Sequence, residues 1–318
     1  MPPPEQQLRL LIASPRGFCA GVERAIEVVE RVLVATGVPL YVRKEIVHNR
    51  AVVADFRERG VVFVEELHQV PDCGTVIFSA HGVAPDVWRE AEARNLRVID
   101  ATCPLVTKVH REVIRHAGAG RAIILIGHPG HDEVLGTMGE APQAIRLVTD
   151  LVDIEHLELE PSQEVAYVTQ TTLSVDETTD IVANIRARYP HLIDPARSDI
   201  CFATQNRQDA VKELVARRIQ LLLVVGSHNS SNSQRLCEVA ERMGVPALLI
   251  DGPDDLPLTE LEQYQKLGLT AGASAPEPSV QAVTRRLQVT GWNPEEVVVL
   301  DEDVRFMLPS ELETLDRE

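Results

Sequence analysis

Three of the five cysteines share one setting. Cys19, Cys103 and Cys201 each follow an apolar run and precede a helix-like one, in PRGFCAG, DATCPLV and SDICFAT. Pro104 favours the first position of a helix, so the Cys103 thiol is expected at a helix N-terminus. The helix dipole there favours the thiolate, the form that binds metal or attacks electrophiles. Three such sulfur ligands suit an iron-sulfur centre or zinc rather than magnesium or calcium. An ordinary cubane cluster takes four cysteines, so three would leave one iron open to water or substrate, a Lewis acid as well as an electron relay. Any one of these cysteines taken alone also reads as a small buried hydrophobe, and that is the reading for Cys73 in VPDCGTV and Cys237 in RLCEVAERM.

The histidines divide by context. His81 in SAHGVAP and His131 in GHPGHDEV follow strands and precede helices, and His48 stands before Asn49, a helix-capping residue. Imidazolium groups beside free N–H groups at helix starts suit an anion. Thr171 in TQTTLS, Ser230, Ser231 and Asn232 in SHNSSNS, and Ser274 in AGASAP add hydroxyl and amide groups that could surround a diphosphate. No GxxxxGK[ST] or GxGxxG motif supports a nucleotide fold, and no GxSxG elbow supports a Ser-His-Asp triad. Glu133, two residues after His131, is either a proton donor in a closed pocket or a carboxylate complementing the first turn of a helix. His110 and His116 are expected on the exposed face of the helix that begins at Pro104.

The elements that must position these residues are short apolar runs at 8–14, 75–80, 97–102, 122–127, 164–170, 221–227, 247–251 and 267–272. Their continuous apolarity suits parallel strands covered on both faces. Amphipathic stretches lie between them, the clearest over 21–36, where Gly37 and Pro39 supply the stop. The alternation predicts an α/β architecture with ligands at the carboxyl ends of the strands. Intervals of 84 residues from Cys19 to Cys103 and 98 from Cys103 to Cys201 suggest three pseudo-equivalent α/β units with mostly parallel sheets around a central cleft, each offering one cysteine. The boundaries are 21–103, 104–198, and 199–290 completed by 1–20.

The 318 residues carry a net charge of −17, which removes the electrostatic term behind nucleic-acid affinity. Residues 295–318 alone supply −7 and read as a solvated acidic tail within 291–318, with a docking role as the alternative. MPPPEQQ has neither the basic nor the apolar region of a secretory signal, and no apolar run reaches the length of a membrane span. A cytoplasmic protein without membrane or nucleic-acid partners is expected. The lack of any CxxC pair argues against a zinc ribbon or a thioredoxin motif.

Taken together, PRGFCAGVERAI, EIVHNRAVV, FSAHGV, DATCPLVTKVH, IGHPGHDEVLGTMG, TQTTLSVDET, DICFATQNRQDAV, VVGSHNSSNSQRL and TAGASAP resemble, in order, the IspH or LytB family of 4-hydroxy-3-methylbut-2-enyl diphosphate reductases. The resemblance runs from residue 14 to about 276. It implies that Cys19, Cys103 and Cys201 hold one 4Fe-4S cluster with one iron open to substrate. It also implies that His48, His81, His131, Thr171, Ser230, Ser231, Asn232 and Ser274 bind an allylic diphosphate. Glu133 would deliver a proton, and the Thr171 hydroxyl would relay it. The implied reaction is a two-electron dehydroxylation to isopentenyl and dimethylallyl diphosphate, the last step of the methylerythritol phosphate route, with ferredoxin or flavodoxin as electron donor. His228 stands where many relatives have Lys. The alternatives are a non-redox iron-sulfur hydro-lyase and a non-catalytic iron-sulfur sensor.

Overall fold

In the computed structural model, which describes residues 7–159 and 163–312, all eight apolar runs become strands. The chain begins β1 (Arg9–Ser14), α1 (Ala20–Thr36), β2 (Leu40–Arg43), α2 (Arg50–Glu58), β3 (Val61–Val64), β4 (Thr75–Phe78), α3 (Pro85–Ala93) and β5 (Arg97–Asp100). It continues through α4 (Pro104–Gly118), β6 (Ala122–Ile126), α5 (Asp132–Glu140), β7 (Ile145–Val148), α6 (Leu151–Glu155), β8 (Val165–Thr169) and α7 (Val175–Arg188). The last stretch is α8 (Phe202–Ala216), β9 (Leu221–Val225), α9 (Ser231–Arg242), β10 (Ala247–Ile250), α10 (Leu258–Leu261), β11 (Lys266–Ala271), α11 (Glu277–Val289) and β12 (Asn293–Val298). The MPPP start and tail residues Glu313, Asp316 and Glu318 lie outside the described residues.

The described residues form two compact units, one of 7–20, 48–52 and 202–304, the other of 21–47, 53–159, 163–201 and 305–312. The first holds a five-stranded sheet in the order β10-β9-β11-β1-β12; the second holds two sheets, β3-β2-β4-β5 and β7-β6-β8. All described pairings between named strands are parallel.

One pattern repeats in each sheet. The orders β3-β2-β4, β7-β6-β8 and β10-β9-β11 are the same second-first-third arrangement. A fourth position then adjoins the third strand: β5 beside β4, β1 beside β11, and a single bridge from Ala166 of β8 to Ile193. From that fourth position the chain runs in every case to a cysteine that immediately precedes a helix: Cys103 before α4, Cys19 before α1 and Cys201 before α8.

Strand alternation distributes the core between two faces. In the first unit Leu10 and Ile12 of β1 join Val283 and Leu287 of α11, while Leu11 and Ala13 join Val211 and Leu214 of α8 and Leu236 of α9. In the second, Ile124 and Ile126 of β6 meet Ile181 and Ile185 of α7, and Ile123 and Leu125 meet Val109 and Val113 of α4 and Val134 of α5. Each such side chain contributes about 1.5–3 kcal/mol, and coverage of both faces explains why these strands read as unbroken apolar runs. The strands β2, β3 and β7 escape the sequence reading; β3 and β7 are sheet edges with an exposed residue inside the strand.

Three expectations are corrected. Asn293–Val298, assigned to a solvated tail, form β12 and pair along the whole of β1. Glu295 then pairs with Arg9 at 2.5 Å, Glu296 with Arg16 at 2.9 Å and Glu302 with Arg207 at 3.1 Å. Three of the carboxylates that suggested solvation thus stand on an edge strand or beyond it, each met by an arginine of the same unit. His110 and His116 are buried, at 8% and 1% exposure, because they continue the Val106, Val109, Val113 stripe of α4. His110 Nδ1 meets Glu140 Oε1 at 2.7 Å, and burial holds the His116 imidazole below its ordinary pKa. Cys73 is exposed in the turn before β4, at φ 61°. Cys237 packs at the edge of the core, where burial pushes its thiol up to about 12.

Two glycines just past strand ends, Gly226 and Gly272, let α9 approach closely. A Cβ on Gly226 or Gly272 would lie 2.2 or 2.0 Å from the hydroxyl oxygen of Ser233 in α9, and on Gly272 also 3.0 Å from Ser233 Cβ. Gly272→Ala should therefore displace the start of α9 and lower unfolding free energy by about 1–3 kcal/mol. Urea unfolding reads this; an unchanged midpoint would contradict the contact.

Candidate active site

The three cysteines that precede helices are held alike. The N–H of Cys103 donates to Ala80 O at 3.0 Å, that of Cys201 to Thr171 O at 3.0 Å and that of Cys19 to Ala273 O at 3.2 Å. Each acceptor stands two residues past the third strand of its sheet, β4, β8 and β11. Cys103 occupies the N-cap of α4 with Pro104 at the first helical position, as its sequence neighbours suggest. None of the three is in a disulfide and all are partly exposed. Each is thus a partly exposed thiol beside a helix N-terminus, a setting that suits a ligand to a soft metal.

Glu133 has both the placement of a helix-charging carboxylate and the enclosure that a proton donor needs. It lies in the first turn of α5, but it is only 3% exposed. The Thr171 N–H donates to its Oε1 at 2.7 Å and the Thr171 hydroxyl to its Oε2 at 3.0 Å. Burial pushes the carboxyl up to about 7; the two Thr171 hydrogen bonds and the nearby His110 oppose this and are outweighed. Thr171 thus connects two groups directly, since its N–H and hydroxyl face Glu133 while its carbonyl holds Cys201. His131 caps α5: its Nδ1 accepts from Glu133 N at 3.2 Å, which puts the proton of the neutral ring on Nε2. The His81 ring stands edge-on to that of His131 at 5.8 Å, with His81 Nδ1 3.2 Å from Ser79 Oγ.

In the other unit Ser230 caps α9, accepting from Ser233 N at 3.3 Å. Ser274 Oγ donates to His48 O at 2.8 Å and lies 3.4 Å from Ser230 Oγ, so His48, Ser230 and Ser274 meet in one place. Asn232 Oδ1 accepts from Ala273 N at 2.8 Å, and its Nδ2 donates to Thr204 Oγ1 at 3.3 Å. Asn49 caps α2 as expected, accepting from Val52 N at 3.0 Å. Ser230, Ser231, Asn232 and Ser274 are all buried. Buried hydroxyls and amides at the start of a twelve-residue helix are suited to an anion. His228, by contrast, is exposed.

Sequence reasoning overlooked three residues that fix these loops. Gln170 is buried, accepts from His128 N at 3.0 Å and donates to Thr172 Oγ1 at 2.9 Å. Buried Asp199 accepts from Lys108 Nζ at 2.8 Å and Thr169 N at 3.1 Å, and burial raises its carboxyl pKa. Buried Arg207 spans the loop before Cys19. Gln170 stands inside the TQTT motif and was legible there; Asp199 and Arg207 stand inside DICFATQNRQDAV, but their partners Lys108 and Gly17 are far away in sequence.

The LytB protein family model matches residues 10–288. A protein from Aromatoleum aromaticum named 4-hydroxy-3-methylbut-2-enyl diphosphate reductase is 55% identical over 308 residues, covering 96% of this chain and 98% of its own. One from Pseudomonas aeruginosa with the same name is 53% identical over 310 residues, with the same coverage. The solved structure of the E-1-hydroxy-2-methyl-but-2-enyl-4-diphosphate reductase from Plasmodium falciparum superposes with a TM-score of 0.95 at 37% identity over 98% of both chains. With homology across nearly the whole length and the same succession of strands and helices, this chain belongs to the LytB family.

Proposed function

We propose that this chain reduces 4-hydroxy-3-methylbut-2-enyl diphosphate with two electrons and two protons, releasing water and forming isopentenyl and dimethylallyl diphosphate, as the last step of the methylerythritol phosphate route. The observation that carries the reading is Glu133, a buried carboxyl poised near neutrality with Thr171 on both its oxygens. The names carried by relatives more than half identical to this chain support it.

Cys19, Cys103 and Cys201, each reached from the fourth position of one sheet, would hold one 4Fe-4S cluster. When bound, such a cluster supplies electrons one at a time and a Lewis-acidic iron. The remaining work belongs to side chains. Glu133 holds the proton that the leaving hydroxyl needs, and at neutral pH it can both give and regain one. The Thr171 hydroxyl can turn from donor to acceptor, so it relays that proton without moving the backbone. His48, His81, His131, Ser230, Ser231, Asn232 and Ser274 bind the diphosphate and fix the orientation of its allylic end. We assign the electron supply to ferredoxin or flavodoxin and the protein to the cytoplasm; among the described residues no helix is long and apolar enough to cross a membrane.

Anaerobic protein supplied with the diphosphate substrate should form both products only when a low-potential reductant is present. Turnover without any electron donor would contradict the reductase reading. Glu133→Gln should keep substrate binding while turnover falls by roughly 10²-fold or more; wild-type rates would reduce Glu133 to a helix-charging role. The same variant carries a stability signature. Because the folded carboxyl titrates at about 7 instead of the ordinary 4.5, the native state keeps a proton the unfolded chain gives up, and stability falls as pH rises from 4.5 to 7. The loss amounts to about 3 kcal/mol. Urea unfolding of the metal-free proteins at pH 5 and pH 8 should show this fall in wild type and a smaller one in Glu133→Gln; equal pH dependence would contradict the buried, proton-holding carboxyl.

A further inference from the structure

Each helix that begins after a cysteine carries a cation five or six residues on: Arg24 after Cys19, Lys108 after Cys103 and Arg207 after Cys201. Each cation donates to backbone carbonyls in the loop that leads to a different cysteine. Arg24 Nη1 donates to Thr102 O at 3.0 Å, directly before Cys103, and Nη2 to Asp100 O at 3.4 Å. Lys108 Nζ donates to Arg197 O at 2.7 Å, to Ser198 O at 3.0 Å and to Asp199, ahead of Cys201. Arg207 donates to Gly17 O from Nε at 3.0 Å and Nη2 at 2.7 Å, and to Phe18 O from Nη2 at 3.1 Å, directly before Cys19.

We infer that Arg24, Lys108 and Arg207 are positioning residues, each fixing the loop of one cysteine ligand, Cys103, Cys201 and Cys19 respectively. The inference rests on the cluster reading above. Its physical basis is clearest at Cys19. The peptide joining Phe18 to Cys19 has its carbonyl held by Arg207 and its N–H held by Ala273 O, so neither side of that peptide plane can rotate alone. Gly17 adopts φ 66° there, and a Cβ would lie 3.0 Å from Ala275 O. The Thr102–Cys103 peptide is held in the same manner, by Arg24 on its carbonyl and Ala80 O on its N–H. At Cys201 the clasped carbonyls lie three and four residues earlier, and Asp199 adds the anion.

Arg207 shows why cations serve here. It is 1% exposed, and Glu302 meets its Nη1 with both carboxylate oxygens at 3.1 Å, itself oriented by Asn206 Nδ2 at 2.7 Å. A buried guanidinium without that carboxylate is costly, so the chain beyond β12 is needed to keep the clasp in place. Arg24 likewise donates from Nε to Met307 O at 2.7 Å. A guanidinium fork can hold several acceptors in fixed directions; a neutral side chain cannot. Outer groups that orient metal ligands typically change metal affinity by about 10- to 100-fold.

The test uses single variants Arg24→Gln, Lys108→Met and Arg207→Gln, with Glu302→Gln as a milder probe of the third clasp. In metal-free protein, alkylation of each cysteine by N-ethylmaleimide is followed by peptide mass spectrometry. Each variant should speed labelling of its own partner: Cys103 in Arg24→Gln, Cys201 in Lys108→Met, and Cys19 in Arg207→Gln and Glu302→Gln. In anaerobically prepared holoprotein, iron release to a chelator should be about 10- to 100-fold faster in every variant. Unchanged labelling, or labelling that rises at all three cysteines together as in general loosening, would overturn the inference. Wild-type protein that binds no iron would sink the cluster proposal instead, and the labelling pattern would still decide the clasps.

Discussion

Every pair of neighbouring strands in the described sheets runs parallel, and that constraint organises the rest. A parallel sheet must return its chain through crossovers, so all its strand-to-helix turns collect at one edge. Helix starts there present N–H groups with no partner inside the helix. In each of the three sheets the third strand ends two residues before a carbonyl that receives a cysteine N–H, and the fourth position leads to the cysteine itself. The recurrence of one arrangement at three places far apart in the chain explains how residues separated by more than eighty positions acquire the same local setting.

The polar core works by unequal opposition rather than by full neutralisation. Glu133 receives two hydrogen bonds that favour its charged form, yet loss of water is the larger effect, and the carboxyl is left near the pH at which proton transfer in both directions is possible. Asp199 is raised by burial too, while Lys108 opposes the shift at 2.8 Å and adds two loop carbonyls to the same network. Buried ion pairs contribute little net stability. Here they hold backbone that would otherwise be free to choose among several turns.

Much of this was legible in the amino-acid order because the covered strands are continuous apolar runs and the capping residues, Pro104 and Asn49, act locally. The cysteine intervals carried the threefold arrangement. The errors have a common cause: side chains were judged by polarity rather than by position on their element. His110 and His116 sit at helical spacing from Val106, Val109 and Val113, and that spacing buries them. The carboxylates of 295–302 were read as solvated because their arginine partners stand more than ninety residues away. Cys73 has no such spacing and simply occupies a turn. The raised pKa of Glu133 comes from burial against the opposing Thr171 hydrogen bonds, and no local pattern encodes that burial.

A cluster with one distinct iron, held by Cys19, Cys103 and Cys201 as proposed, would show itself in its iron content and spectrum. Anaerobic iron and sulfide analysis combined with Mössbauer spectroscopy, before and after addition of the diphosphate substrate, tests it most directly. About four iron and four sulfide per chain are expected, with the signal of a single iron changing when substrate binds. Two iron per chain, zinc in place of iron, or spectra that do not respond to substrate would contradict it.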